Sequence, residues 1–175
     1  MKTSSLILFL CSLPLTLTAA DNIKLRARFV EAPAAAKITK ADCDSDAALK
    51  RLGAQVLSSP VLLTRDGETA TMFVGMEVPV PSQGSTNSGP VRVGTELEVT
   101  PRLEGERVAF SAKATVRQQE RVDGKPEAVR AEFSTREYFL SGTCRSGESV
   151  LFTPRSVHNN RKLYLHLTCT RELEK

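Results

Sequence analysis

Apolar side chains fall on every second position along most of this chain, and that rhythm commits it to extended strands before anything else is considered. Ile23, Leu25, Ala27 and Phe29 share one parity, Lys24, Arg26 and Arg28 the other, as in a strand with one buried and one solvent face. The rhythm returns in Val91, Val93, Thr95, Leu97, Val99 and Leu103. After Leu103-Glu104-Gly105-Glu106 it continues in Val108, Phe110, Ala112, Ala114 and Val116. The opposite parity carries Arg92, Glu96, Glu98 and Arg102 against Arg107, Ser111, Lys113 and Arg117, a charged solvent face suited to cross-strand pairs. Ala131 to Cys144 alternates again, Arg145 to Glu148 reads as a turn, and Val150 to Thr153 as the return strand of a hairpin. Asn159-Asn160 then turns into a last strand with Leu163, Leu165, Leu167 and Cys169 on one face.

Between these blocks the punctuation is local. Val56 to Thr64 and Glu68 to Val74 flank Arg65-Asp66-Gly67, a hairpin signal because Asp-Gly tolerates positive φ. Pro60 removes an amide donor, so its segment is an edge strand or begins after the proline. Gly75 sits inside a strand pattern and marks a bulge or a close backbone approach. Val78-Pro79-Val80 leads into the polar loop 81–90, and Gln118 to Arg130 is a second polar connector around Asp123-Gly124. The one helical pattern lies at 44–54, with Asp44 or Ser45 at its start and Gly53 at its end. The expected fold is mainly β, antiparallel hairpins with one short helix, and the short connections exclude alternating βαβ units.

The start of the chain reads differently. Lys2, the greasy run Leu6 to Ala19 and the small residues Ala19-Ala20 before Asp21 make a secretory signal peptide over residues 1–20. The run is shorter than the roughly 20 residues a spanning helix needs. Residues 21–175 are then one exported domain. With 24 basic and 20 acidic residues interspersed along the chain there is no charged stripe for nucleic acid; Lys113, Arg117, Arg121, Lys125 and Arg130 read as a solvated edge and loop.

Catalytic constellations are not evident. Ser58, Ser59 and Ser134 supply hydroxyls and only His158 and His166 supply a base; His166 has polar parity and is expected at the surface or beside a strand neighbour. No HExxH, phosphate loop or GxSxG occurs, so neither an enzyme, a metal nor a cofactor is expected.

Several blocks together resemble the core domain of the secretin family. The stretch VLSSPVLLTRDGETATMFVGMEVPV at 56–80 is similar to that family's "VLssP" strand, Asp/Asn-Gly turn and "vG..vP" strand. RVGTELEVTPRL at 92–103 resembles its "vGv.L.VtPri" strand, FSTREYFLSGTCRSGESVL at 133–151 its dGet block, LYLHLTCT at 163–170 its closing strand, and NIKLRARFVE at 22–31 its opening strand. The resemblance singles out Pro60, Gly67, Gly75, Pro79, Pro101, Arg102 and Gly147 as signature residues with structural roles. Secretins are ring-forming outer-membrane channels of secretion, type IV pilus and phage-export machines. The resemblance therefore implies an exported protein of the bacterial periplasm or outer-membrane periphery with a structural or assembly role, joined to itself through edge strands or to a secretion or pilus apparatus. Past Glu148 the family's long gate-forming segment has no counterpart, nor do the ring-assembly domains that precede its core. A soluble periplasmic binding module, using the 81–90 loop after losing the channel, is the alternative.

Export leaves Cys43, Cys144 and Cys169. Cys169 shares its parity with core leucines and Cys144 ends a strand. If the terminal strand pairs beside the 131–152 hairpin, these two approach disulfide range and Cys43 is left unpaired.

Overall fold

The computed structural model describes residues 21–79, 90–120, 132–153 and 157–172. The expected signal peptide, nearly all of the 81–90 loop, most of the second connector and Arg121, Lys125 and Arg130 lie outside the described residues.

Nine strands and two short helices follow one another as β1 (Asn22–Pro33), α1 (Lys40–Cys43), α2 (Asp46–Arg51), β2 (Gln55–Ser58), β3 (Val61–Arg65), β4 (Ala70–Val78), β5 (Val91–Glu104), β6 (Arg107–Glu120), β7 (Glu132–Arg145), β8 (Ser149–Phe152) and β9 (Arg161–Glu172) among the described residues. They form two antiparallel sheets. In the first, β1 lies between β9 and the end-to-end pair β2 and β3, and β8 closes the far side of β9; the second has the order β4-β5-β6-β7. The inward parities meet between them. Ile23, Leu25, Ala27, Phe29, Leu165, Leu167 and Cys169 from the first sheet pack on Leu97, Val99, Phe110, Ala112, Ala114, Val116 and Cys144 from the second. This is the usual way for half-apolar sheets to bury their faces.

Two expected hairpins are corrected. The Arg65-Asp66-Gly67 turn exists, with Gly67 at φ 74°, but β3 pairs with β1 and β4 with β5. The turn carries the chain from one sheet to the other and is pinned to β5: Gly67 N–H donates to the Pro101 carbonyl at 2.8 Å, and Leu103 N–H to Asp66 Oδ1 at 2.7 Å. Arg145 to Glu148 likewise crosses back, since β7 belongs to the second sheet and β8 pairs with β9. The 91–116 hairpin is as expected, with Gly105 at φ 64°, and so is the Asn159-Asn160 turn, both residues left-handed. Pro60 falls in the break between β2 and β3, both of which end on β1.

The helix expected at 44–54 is α2, and a second short helix, α1, precedes it. Thr39 and Asp42 form a reciprocal capping box that starts α1, and the Ser45 hydroxyl accepts the Ala48 amide to start α2; such caps satisfy otherwise orphaned amides. Gly53 closes α2 at φ 66°. The helices cover the half of the first sheet's outer face that carries Val30, Ala32 and Tyr164, burying Ile38, Cys43 and Leu49 against them. Arg28 and His166, of polar parity, are therefore covered and not solvated. Arg28 donates to the Cys43 carbonyl and pairs with Asp46, while His166 is only 3% exposed.

Candidate assembly interface

The second sheet outgrows the first. Its inward face continues past the sandwich as Val74, Met76 and Val78 on β4, opposite Thr95, Val93 and Val91 on β5. Val74 and Met76 are exposed there, Met76 by 67%. The sandwich core ends just below it, in a polar seal. Glu31, on the inward face of β1 and itself buried, accepts from Arg136 of β7 and Arg161 of β9, each at 3.1 Å, and from Gln55 of β2 at 3.1 Å. Arg136 also donates to Gln118 at 2.7 Å, and Ser58 and Thr95 share a buried hydroxyl contact at 2.5 Å. A carboxylate held by two guanidinium groups ties both sheets together where the apolar face emerges.

Two glycines face each other in the overhang. Gly75 and Gly94 are register partners; a Cβ on Gly75 would meet the Val93 carbonyl oxygen and lie 2.9 Å from Gly94 Cα, and one on Gly94 would lie 2.6 Å from Gly75 Cα. Gly94 also has φ 146°. Facing glycines let backbones approach this closely. The close approach anticipated for Gly75 is present, whereas Gly94 was not singled out from the sequence. The signal was there: both glycines occupy the outward parity, and drawing β4 against β5 sets them opposite.

β4 and β7 are the two edges of this sheet, each hydrogen-bonded on one side only among the described residues. β4 offers Val74 and Met76. β7 offers Phe139, 77% exposed on the outward face, with the Lys113 ammonium 5.6 Å from its ring centre. That face also carries Phe73, under the Arg92 guanidinium at 5.5 Å, and two ion pairs, Lys113 with Glu137 at 2.9 Å and Arg92 with Glu77 at 3.2 Å. Such exposed pairs contribute at most about 1 kcal/mol each.

The other signature residues are spread over the fold and do not converge. Pro60 is buried and its carbonyl accepts the Ala27 amide at 2.9 Å. Pro79 follows the end of β4, exposed; Pro101 is buried under the Gly67 turn. Gly147, at φ 85°, donates its amide to the Cys169 carbonyl at 2.8 Å. Arg102 is exposed and makes no cross-strand ion pair among the described residues. Ser58 faces the core and His166 the helices, so these two do not meet. Burial lowers the His166 pKa first of all; Asp44 Oδ1, 4.0 Å from Nδ1, opposes that shift, and Arg28 and Lys40 add to it.

The family model "Secretin: Bacterial type II and III secretion system protein" matches residues 48–153. Over 108 residues the chain is 35% identical to Secretin ExeD of Aeromonas salmonicida, a match covering 55% of this chain and 16% of that protein. Secretin ExeD of Aeromonas hydrophila is 31% identical over 106 residues, with the same coverage. The chain thus matches about a sixth of the length of these relatives. Among solved structures, the Klebsiella pneumoniae type II secretion system outer membrane complex of PulD, PulS and PulC HR domain superposes with TM-score 0.58 at 18% identity, covering 90% of this chain and 41% of that one. The type II secretin GspD from enteropathogenic Escherichia coli gives 0.57 at 14%, covering 90% and 71%. At these identities the structural likeness speaks for the fold.

Proposed function

This chain belongs to the secretin family, and from that premise we propose that it is a non-enzymatic structural part of the bacterial cell envelope that assembles with copies of itself through the edges of the β4 to β7 sheet. The observation that carries the reading is the apolar overhang on β4. Val74 and Met76 lie on an edge strand, on the face that elsewhere forms the core, and both are exposed among the described residues. An edge with exposed apolar side chains and a single charge, Glu77, which is paired with Arg92, is suited to pair with another strand. β7, at the opposite edge, supplies the complementary partner in a head-to-tail arrangement, which closes into a ring when the rotation between copies allows.

Export through a signal peptide at residues 1–20, with 21–175 as the mature domain, belongs to the same reading. The signature residues Pro60, Gly67, Gly75, Pro101 and Gly147 serve it structurally through the turns, close approaches and hydrogen bonds described above, and Pro79 and Arg102 are assigned structural roles at the surface. A secretion or pilus apparatus is the proposed setting.

The test is detergent extraction of the protein from envelope membranes, sizing by light scattering and negative-stain imaging. Rings or higher oligomers are expected, and replacing both Val74 and Met76 by Lys is expected to leave a monomer with unchanged far-ultraviolet circular dichroism. A wild-type protein that is monomeric in the extract overturns the reading and favours the binding-module alternative.

A further inference from the structure

Cys144 and Cys169 enter the core from different sheets at the end where β7 hands the chain to β8. Cys144 lies opposite Val108, toward whose carbonyl its thiol points at 3.9 Å, and Cys169 lies opposite Leu25. Both side chains are buried in one cluster. The turn after Cys144 is fastened to the strand that carries Cys169: Gly147 N–H donates to the Cys169 carbonyl at 2.8 Å and Arg171 N–H to Ser146 Oγ at 2.9 Å. Packed sheets usually stand about 10 Å apart, but here β7 and β9 bring Cα atoms within 8 Å of one another. That convergence approaches the span of roughly 4.4–6.8 Å that a disulfide bridges. The thiols are unbridged in the structure and interact side chain to side chain. Cys43 lies across the first sheet, under the helices, in a separate cluster.

We propose that Cys144 and Cys169 become an intramolecular disulfide that clamps the two sheets together when the chain folds in an oxidising compartment. The setting rests on the export part of the proposed function; the pairing itself rests on the geometry above. The oxidant is a disulfide-exchange partner. One cysteine thiolate attacks its sulfur–sulfur bond, forming a mixed disulfide and expelling one thiolate. The second cysteine then attacks the mixed disulfide and expels the other. One sulfur–sulfur bond forms in the protein, one breaks in the partner, and two electrons and two protons leave with the two thiols released. Burial raises the Cys169 pKa and keeps its sulfur protonated in the folded domain, which disfavours it as the attacking thiolate.

The experiment is to denature and reduce the whole chain, refold it in a mixture of oxidised and reduced glutathione, alkylate in urea so that every remaining thiol is reached, and digest without reductant. A linked Cys144–Cys169 peptide with Cys43 alkylated is expected. Adding reductant should then lower the thermal midpoint by roughly 6–12 °C, the shift for loss of a cross-link of this loop length, in wild type and in Cys43→Ala alike. A peptide linked through Cys43, or alkylation of all three thiols, overturns the proposal. Refolding in vitro makes this result independent of export: protein that pairs in vitro but is recovered reduced from cells counts against export and leaves the pairing standing.

Discussion

Gly75 and Gly94 face each other across β4 and β5 with their Cα atoms so close that neither can carry a Cβ. Gly75→Ala and Gly94→Ala should each destabilise the fold by about 1–3 kcal/mol, the usual cost of forcing atoms into filled space. Gly94→Ala should be the worse, because its φ of 146° is strained for any other residue. Gly67→Ala is the control. A Cβ there meets nothing within 4 Å, so only the positive φ opposes it, at about 1–2 kcal/mol. Urea midpoints of the three variants give the order.

Glu31 is the second sensitive point. Removing it leaves Arg136 and Arg161 facing each other at the top of the core without their shared carboxylate. Glu31→Ala should lose about 3–5 kcal/mol, as when one partner of a buried pair is deleted. Lys24→Ala, which breaks a half-exposed pair with Glu172, should lose less than about 1 kcal/mol. Chemical denaturation of both variants separates the two cases.

His166 predicts a pH dependence. Its folded pKa lies below the ordinary value of 6.5 because burial disfavours the imidazolium. Below pH 6.5 the unfolded chain takes up a proton that the folded one refuses, so stability is complete above 6.5 and falls as the pH drops toward the folded pKa. The slope from this one group is at most about 1.4 kcal/mol per pH unit. His166→Leu should flatten the urea-midpoint profile between pH 5 and 7. An unchanged slope would assign the acid sensitivity to other groups.

Cys43 reports on the helical layer. Burial pushes its thiol up to about 11, and it is enclosed between α1 and the sheet. Iodoacetamide at pH 8 should therefore leave it unmodified in the native protein and modify it fully in urea, with mass spectrometry as the readout. Ser45→Ala, which removes the α2 cap, should speed the native reaction several-fold by loosening that layer.

The strands and their faces were legible because parity is a local property. The inward sets on β1, β5, β6 and β9 read directly from residues such as Leu25, Leu97, Ala112 and Leu167, and the turn glycines from their neighbours. Partner choice was not legible at Asp66-Gly67 and Ser146-Gly147. Those dipeptides specify a backbone that tolerates positive φ, and a turn of that kind serves a hairpin and a sheet-to-sheet crossing equally well. Arg28 and His166 looked solvated because polarity of side chain is a poor guide once a helix, here set by the caps at Thr39 and Ser45, lies over that face. The Arg136 and Arg161 partners of Glu31 are 105 and 130 residues away, beyond any local pattern. The Cys144–Cys169 approach was anticipated by parity, although the two meet across the sandwich and not within one sheet.

The pairing of β1 with β9 has a consequence in time. Asp21 and Arg171 are joined at 2.7 Å although 150 residues separate them, and every residue of β1 has its partner in β9. A chain emerging from its amino end has already released β1 long before that partner exists. Closing so long a loop is slow, since the entropy is lost before the contacts form. Until the final strand emerges, the first sheet lacks its middle, and the sandwich cannot close over the β4 to β7 sheet, whose strands are all made before it.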